Sequence, residues 1–213
     1  RDGLILGWET GLGKTIGAFT YSLLKVGWIE DGVSLRPRAP VLLVAIGDLH
    51  EQLCAEAKAR FGITVRRANR NTTKIENEFY IASYEEISRH EPFLNLCRER
   101  FKCVLVDEGT KIKGEYTKVS IGVRSLDPAY RLVATATPIK NRLSDAFSIL
   151  HWVAGGKKVP HIGFPYADSH AGRRQFADKF QVVEKNVTKE TKRWLEGKSQ
   201  KCEKPTAEAC NLQ

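Results

Sequence analysis

Methionine is missing from this chain altogether, at position 1 and everywhere else. The sequence therefore reads as a piece of a longer protein, and an apolar run starting almost at the N-terminus agrees with that. Cysteine is sparse: Cys54, Cys97, Cys103, Cys202 and Cys210 make an odd number with no Cys-x-x-Cys pair. Their spacing, even with His161 and His170, fits no common zinc site. Free thiols in a reducing compartment are expected, hence a cytoplasmic protein (nuclear in a eukaryote) that is not secreted. No apolar run approaches the about 20 residues that cross a bilayer, and no signal peptide is visible, so no membrane partner is expected. There is no internal repeat. Negative charge is in deficit, with 25 acidic against 34 basic residues, a net charge of +9 and a pI of about 9.4. A basic surface suits a polyanion, nucleic acid first and an acidic protein surface second. The 213 residues are 42% hydrophobic and 28% charged, which excludes wholesale disorder and allows one sizeable domain with an appendage.

What is present is an alternation of strand and helix. Residues 4–8 read as a strand and 14–26 as a helix. Residues 36–40 form a loop, and 41–46 a strand without polar alternation, buried on both faces. Asp48 is placed to cap a helix over 49–61, in which Leu53, Ala57 and Phe61 keep helical spacing. A short strand is expected at 63–67, a strand at 78–83, and a helix over 85–100 that breaks near Pro92. Then come a strand at 103–106, a helix at 116–126, a strand at 130–134 and a helix at 143–153. Repeated βα units imply a doubly wound, mostly parallel sheet, an α/β fold. The texture changes at Ala154-Gly155-Gly156. Gly, Pro and His dominate as far as 171, short helices are expected at 173–180 and 188–195, and the polar end forms an extension.

Two segments carry chemistry. Trp8-Glu9-Thr10-Gly11-Leu12-Gly13-Lys14-Thr15 stands between the first strand and the first helix. Strand, glycine-rich turn, Lys-Thr and helix is the context of a phosphate-binding loop. Backbone N–H groups of Thr10, Gly11, Leu12 and Gly13 and the helix N-terminus would face an anion. Lys14 would reach the β- and γ-phosphates, and the Thr15 hydroxyl would bind Mg²⁺. The strict Gly-x-x-x-x-Gly-Lys-Thr pattern is missed because its first glycine falls on Trp8, and alone the segment could be a glycine-rich helix start. The second segment is the strand Cys103-Val104-Leu105-Val106 ending in Asp107-Glu108. An aspartate there holds Mg²⁺ and a neighbouring glutamate activates water, although alone it could be a solvated turn. Ligands of open parallel sheets bind at the strands' carboxyl ends, so the two loops can converge on one Mg-ATP.

A third segment, Thr135-Ala136-Thr137-Pro138-Ile139-Lys140-Asn141, follows the strand at 130–134. With Gly11-Leu12-Gly13-Lys14-Thr15, Ser83-Tyr84-Glu85, Val106-Asp107-Glu108-Gly109 and Lys111-Ile112-Lys113, it makes residues 4–183 resemble lobe 1 of superfamily-two helicases. More narrowly, the chain looks like the Swi/Snf-type branch of DNA-translocating ATPases. That resemblance implies a RecA-like ATP-binding lobe over 4–183, followed at 184–213 by a basic extension or linker toward a second lobe absent from this chain. It implies ATP and Mg as cofactors, with Thr15 and Asp107 on the metal and Glu108 and Lys14 as the catalytic pair. Thr135 and Thr137 would couple nucleotide state to the nucleic-acid groove. Gly47, Asp48, Ser83 and Tyr84 would contact the phosphates of duplex DNA through N–H groups and hydroxyls, which position without reading sequence.

The chain also departs from that pattern. Trp8-Glu9 stands where the family has Asp-Glu, and Asp107-Glu108-Gly109-Thr110 where it has Asp-Glu-Ala-His. Losing that histidine removes a polar link between ATP site and DNA groove. No glutamine-bearing adenine segment precedes the loop, and no arginine-finger motif follows. The implied function is the N-terminal lobe of a DNA-dependent ATP hydrolase, nearly inactive as this fragment. Another superfamily-two motor, such as an RNA helicase or restriction-enzyme motor, and a nucleotide-binding scaffold without hydrolysis remain open. The basic run at 185–194 reads either as a nucleic-acid contact through Trp194 or as a solvated helix.

Overall fold

The computed structural model describes residues 2–9, 11–30, 35–137, 145–155 and 164–180. Six strands form one parallel sheet: β1 (Asp2–Leu6), β4 (Val41–Ala45), β5 (Val65–Arg67), β6 (Phe79–Ser83), β7 (Cys103–Asp107) and β8 (Tyr130–Ala134). Their spatial order is β1-β8-β7-β4-β6-β5. The helices are α1 (Lys14–Val26), α2 (His50–Phe61), α3 (Tyr84–Arg89), α4 (Glu91–Arg100), α5 (Lys118–Arg124), α6 (Asp145–Val153) and α7 (His170–Phe180).

Successive side chains of a strand point to opposite faces, and here both faces are covered. Val41, Leu43 and Ala45 of β4 pack with Phe79, Ile81, Leu105 and Leu132 against α1 and α2, through Phe19, Leu23, Leu53 and Ala57. Their neighbours Leu42 and Val44 pack with Tyr80, Val104 and Val133 against α3 to α6, through Ile87, Leu94, Val123 and Trp152. This is why β4 shows no polar alternation: each of its five residues is buried. A third, smaller cluster joins Phe147 of α6 to Phe164, Tyr166 and Phe176. Arg124 and Arg173 both pair with Asp168 beside it, and the Arg124 pair fastens the 164–180 segment to α5.

Several expectations need correction. The break expected near Pro92 in the helix over 85–100 is present but falls two residues earlier, at His90, which is extended at φ −119° and ψ 90° and separates α3 from α4. Pro92 has no N–H to donate, so it is tolerated in the first turn of α4 but not inside a continuous helix. Asp48 caps nothing. It lies within a tight 3₁₀ turn, Gly47–Leu49, and α2 begins only at His50. The expected loop at 36–40 overlaps β3 (Leu35–Pro37), which pairs antiparallel with β2 (Trp28–Glu30). Three-residue strands are too short to display a period, so this hairpin left no pattern to read. α5 is shorter than expected, because Thr117 accepts a hydrogen bond from the Ser120 N–H and starts the helix there. The helix expected at 188–195, the basic extension and Thr10 lie outside the described residues.

Candidate nucleotide site

The register of the sheet places the site. Leu6 pairs with Ala134, Ala134 with Asp107, and Ala45 with Ser83. Because Val44 pairs with Val106, Ala45 and Asp107 end their strands level with one another. Five carboxyl ends thus stand in one row. The segments after β1, β8 and β7 are immediate neighbours, at about 5 Å per strand. Lys14, Asp107, Glu108, Thr135 and Thr137 are brought together there, as the spacing of their motifs requires.

The loop after β1 turns through Gly11 and Gly13, at φ +87° and +80°. An L side chain at either position would be strained, which explains the glycines. Gly13 is the cap residue of α1 and offers no side chain to its N–H groups, and no acidic residue stands in the first turn. The helix end therefore keeps its open donors and partial positive charge for an anion. The Lys14 ammonium folds back over the loop and donates to the carbonyls of Trp8 at 3.1 Å and Glu9 at 3.0 Å. A cavity of about 380 Å³ opens beside the loop, lined by Gly11, Gly13, Lys14, Thr15, Gln52 and Asp107. A larger cleft of about 650 Å³, between Lys113–Glu115 and α7, lies away from these loops, and Arg173 in it is already paired with Asp168 and Glu115.

Asp107 is half-buried. Burial, reinforced by the Glu108 charge, pushes its carboxyl above the usual range, and Lys14 opposes that rise. Its environment thus favours a cation nearby. A hydroxyl (Thr15) and a carboxylate (Asp107) facing one cavity are hard oxygen donors of the kind Mg²⁺ takes together with phosphate oxygens. Among the described residues no cluster of three His, Cys, Asp or Glu could hold a metal without such help.

Glu108 is the one non-glycine residue with positive φ among the described residues, at +62°. Its Oε1 accepts from the Thr110 hydroxyl at 2.7 Å, the Thr110 N–H at 3.4 Å and the Thr135 hydroxyl at 3.3 Å. Thr135 is fully buried, and its N–H donates to the Leu6 carbonyl at 3.0 Å. The Thr137 N–H in turn donates to the Thr135 hydroxyl at 3.2 Å.

The four residues expected to meet DNA separate. Gly47 and Asp48 are exposed at the end of β4. The Ser83 hydroxyl sits one strand away and accepts from the Glu86 N–H, capping α3. Tyr84 is corrected: its side chain is only 2% exposed and faces the interior. Its hydroxyl donates to the carbonyls of Asp107 and, at 3.3 Å, Glu108. Burial first, and the charges of Asp107 and Glu108 next, hold that phenol well above its ordinary pKa, so it remains a donor. Pattern reading missed Thr110 and gave Tyr84 the wrong contact. A hydroxyl two residues beyond a glutamate gives no signal until the turn is seen to be left-handed.

Residues 42–158 match the model of the SNF2-related domain. The "Uncharacterized ATP-dependent helicase YqhH" of Bacillus subtilis is 28% identical over 181 residues, covering 84% of this chain and 30% of that protein. The human "DNA repair and recombination protein RAD54B" is 29% identical over 167 residues, covering 73% of this chain and 18% of its own length. The chain thus spans less than a third of these relatives. Among solved structures, "Sulfolobus solfataricus SWI2/SNF2 ATPase core in complex with dsDNA" aligns over 92% of this chain and 38% of its own, with a TM-score of 0.60 and 22% identity.

Proposed function

Because the chain belongs to the SNF2-related domain family, with more than half its length matched, we propose that it is the N-terminal ATP-binding lobe of a DNA-dependent ATPase that translocates on duplex DNA. In this reading residues 4–183 form the lobe and 184–213 lead toward a second lobe. The observation that carries it is the shared row of strand ends, which sets Lys14, Asp107, Glu108 and Thr135 around one edge of the sheet.

The residues divide the work. The N–H groups of the 10–13 loop and the α1 N-terminus hold the β-phosphate. Lys14 leaves the Trp8 and Glu9 carbonyls for the β- and γ-phosphate oxygens. Thr15 and Asp107 would hold Mg²⁺, which neutralises charge on the transferring phosphoryl group. Glu108 takes a proton from the water that attacks the γ-phosphorus, while the bond to the β-phosphate's bridging oxygen breaks and ADP leaves. Thr135 and Thr137 tie that carboxylate to the end of β8. Gly47, Asp48 and Ser83 lie along the same edge and would meet the DNA backbone without reading sequence.

A scaffold that binds Mg-ATP without hydrolysis is the second reading. It draws on the Glu108 carboxylate being held within its own turn by Thr110. Steady-state turnover of the whole protein with duplex DNA, RNA or neither decides. The expectation is hydrolysis stimulated by duplex DNA; stimulation by RNA alone points to an RNA motor, and nucleotide binding without turnover to the scaffold. Cys54, Cys97 and Cys103 are free, and burial pushes the thiols of the last two up to about 12. Unpaired, unreactive thiols suit the cytoplasm or a nucleus. Among the described residues no helix is long and apolar enough to cross a membrane.

A further inference from the structure

The turn after β7 carries glycine and threonine where the resembling family has alanine and histidine, and one geometric fact links the two differences. A Cβ at position 109 would fall inside contact distance of the Val133 side chain, with the Thr135 side chain 3.5 Å away. Glycine therefore lets the turn lie directly on β8. In that position the hydroxyls of Thr110, from the turn, and Thr135, from the strand end, both reach the same carboxylate oxygen of Glu108.

We infer that Thr110 is a positioning residue for Glu108, and that Gly109 is the condition for its doing so. The inference rests on the reading of Glu108 as the base that activates water. Three donors converge on Oε1, and the shortest is the Thr110 hydroxyl at 2.7 Å. Among the described residues no donor is directed at Oε2. A carboxylate held through one oxygen keeps its position in the turn and leaves the other oxygen for a water. Hydrogen bonds to a charged group are short, directional and stronger than neutral ones. The anchor also runs onward: Thr135 accepts from the Thr137 N–H and is bonded through its own N–H to Leu6, where the phosphate loop departs.

The test uses the whole protein that contains this chain and compares wild type with Thr110→Val, Thr110→Ser and Gly109→Ala. Turnover, the KM for ATP and ADP affinity by calorimetry are measured with saturating duplex DNA, after a melting curve for each variant. Thr110→Val removes the hydroxyl at nearly constant volume and is expected to lower kcat about 10- to 150-fold, the weight of one hydrogen bond to a charged group. KM and ADP affinity should stay within about twofold, because the phosphates are held elsewhere. Thr110→Ser restores the hydroxyl and should return kcat to within about threefold of wild type. Gly109→Ala should lower kcat with little change in ADP affinity. Adding Thr135→Val to Thr110→Val should cost less than the product of the single effects, since both bonds serve one oxygen. If Thr110→Val does not fold, Thr110→Ala replaces it. A Thr110→Val enzyme with wild-type kcat, or a serine variant as slow as the valine one, overturns the positioning role while the site reading stands. A KM rising in step with the fall in kcat overturns it too. A wild-type protein that binds ATP but never turns it over refutes the underlying reading of Glu108 instead.

Discussion

Replacing Lys14 with alanine is the perturbation whose size follows most directly from the geometry. In the free chain the ammonium donates to two loop carbonyls at 3.0 and 3.1 Å. Both are near solvent, so when Lys14 leaves, water takes its place at a cost of about 0.5–1.5 kcal/mol per bond or less. A charge-assisted bond to phosphate contributes about 1.5–3 kcal/mol, and Lys14 gains more than one as it reaches β- and γ-oxygens. The net loss in Lys14→Ala is therefore about 1.5 kcal/mol, or about tenfold in affinity. The loss should be larger for ATP than for ADP, and should shrink with salt because the site is open. One confounding effect is separable. Lys14 opposes the rise in the Asp107 pKa, so its removal also makes that carboxylate harder to ionise and weakens any metal-assisted part of binding. Calorimetry of residues 1–213 with ATP and ADP, each with and without Mg²⁺, isolates the direct term. Equal affinities for wild type and Lys14→Ala in all four titrations would remove Lys14 from the site.

In the whole protein, Glu108→Gln should abolish DNA-stimulated turnover while nucleotide affinity stays within about threefold; unchanged turnover would show the base to be another residue. Asp107→Asn should raise the melting temperature of the unliganded chain at pH 7. The folded carboxyl has a pKa above its unfolded value of about 3.9, so holding it ionised costs stability at pH values above the folded pKa. That cost is relieved as pH falls through the folded pKa, so the melting difference should vanish in acid, and a variant less stable than wild type at pH 7 contradicts the sign. Trp152 is 1% exposed and donates from its ring nitrogen to the Leu126 carbonyl at 2.9 Å. Trp152→Ala should cost about 3–5 kcal/mol and Trp152→Phe about 1–2 kcal/mol in urea unfolding, and equal losses would deny the hydrogen bond a role.

Elements and residues were legible in the sequence where a period or a spacing carries them. α1 and β8 fall where their patterns place them, because helix and strand periods persist over enough residues to be counted. Lys14, Asp107 and Thr135 could be grouped from the sequence because each stands at or beyond the end of a strand, and the sheet register brings those strand ends together. The β2–β3 hairpin escaped because it is short and its first strand is exposed along its length. Asp48 misled because capping chemistry was present while the chain chose a 3₁₀ turn one step earlier. Tyr84 misled in the opposite direction. Its neighbours in sequence lie at the sheet's edge, but its own side chain is drawn inward by two carbonyls, one at the end of a strand 23 residues away and one in the turn after it. No local rule reads such a pairing, since it exists only after β4 has come between β6 and β7.

That tyrosine also joins two parts of the molecule mechanically. It follows Ser83 directly, at the end of the strand whose hydroxyl lies on the outer edge, and its phenol spans the end of β4 to grip the backbone that carries Asp107 and Glu108. The ring is rigid and enclosed, so it acts as a strut of fixed length. A ligand that draws the Ser83 backbone outward must either pull the Asp107 carbonyl with it or break the strut. A phenylalanine at position 84 would keep the packing and cut that connection, leaving each end of the row to move alone.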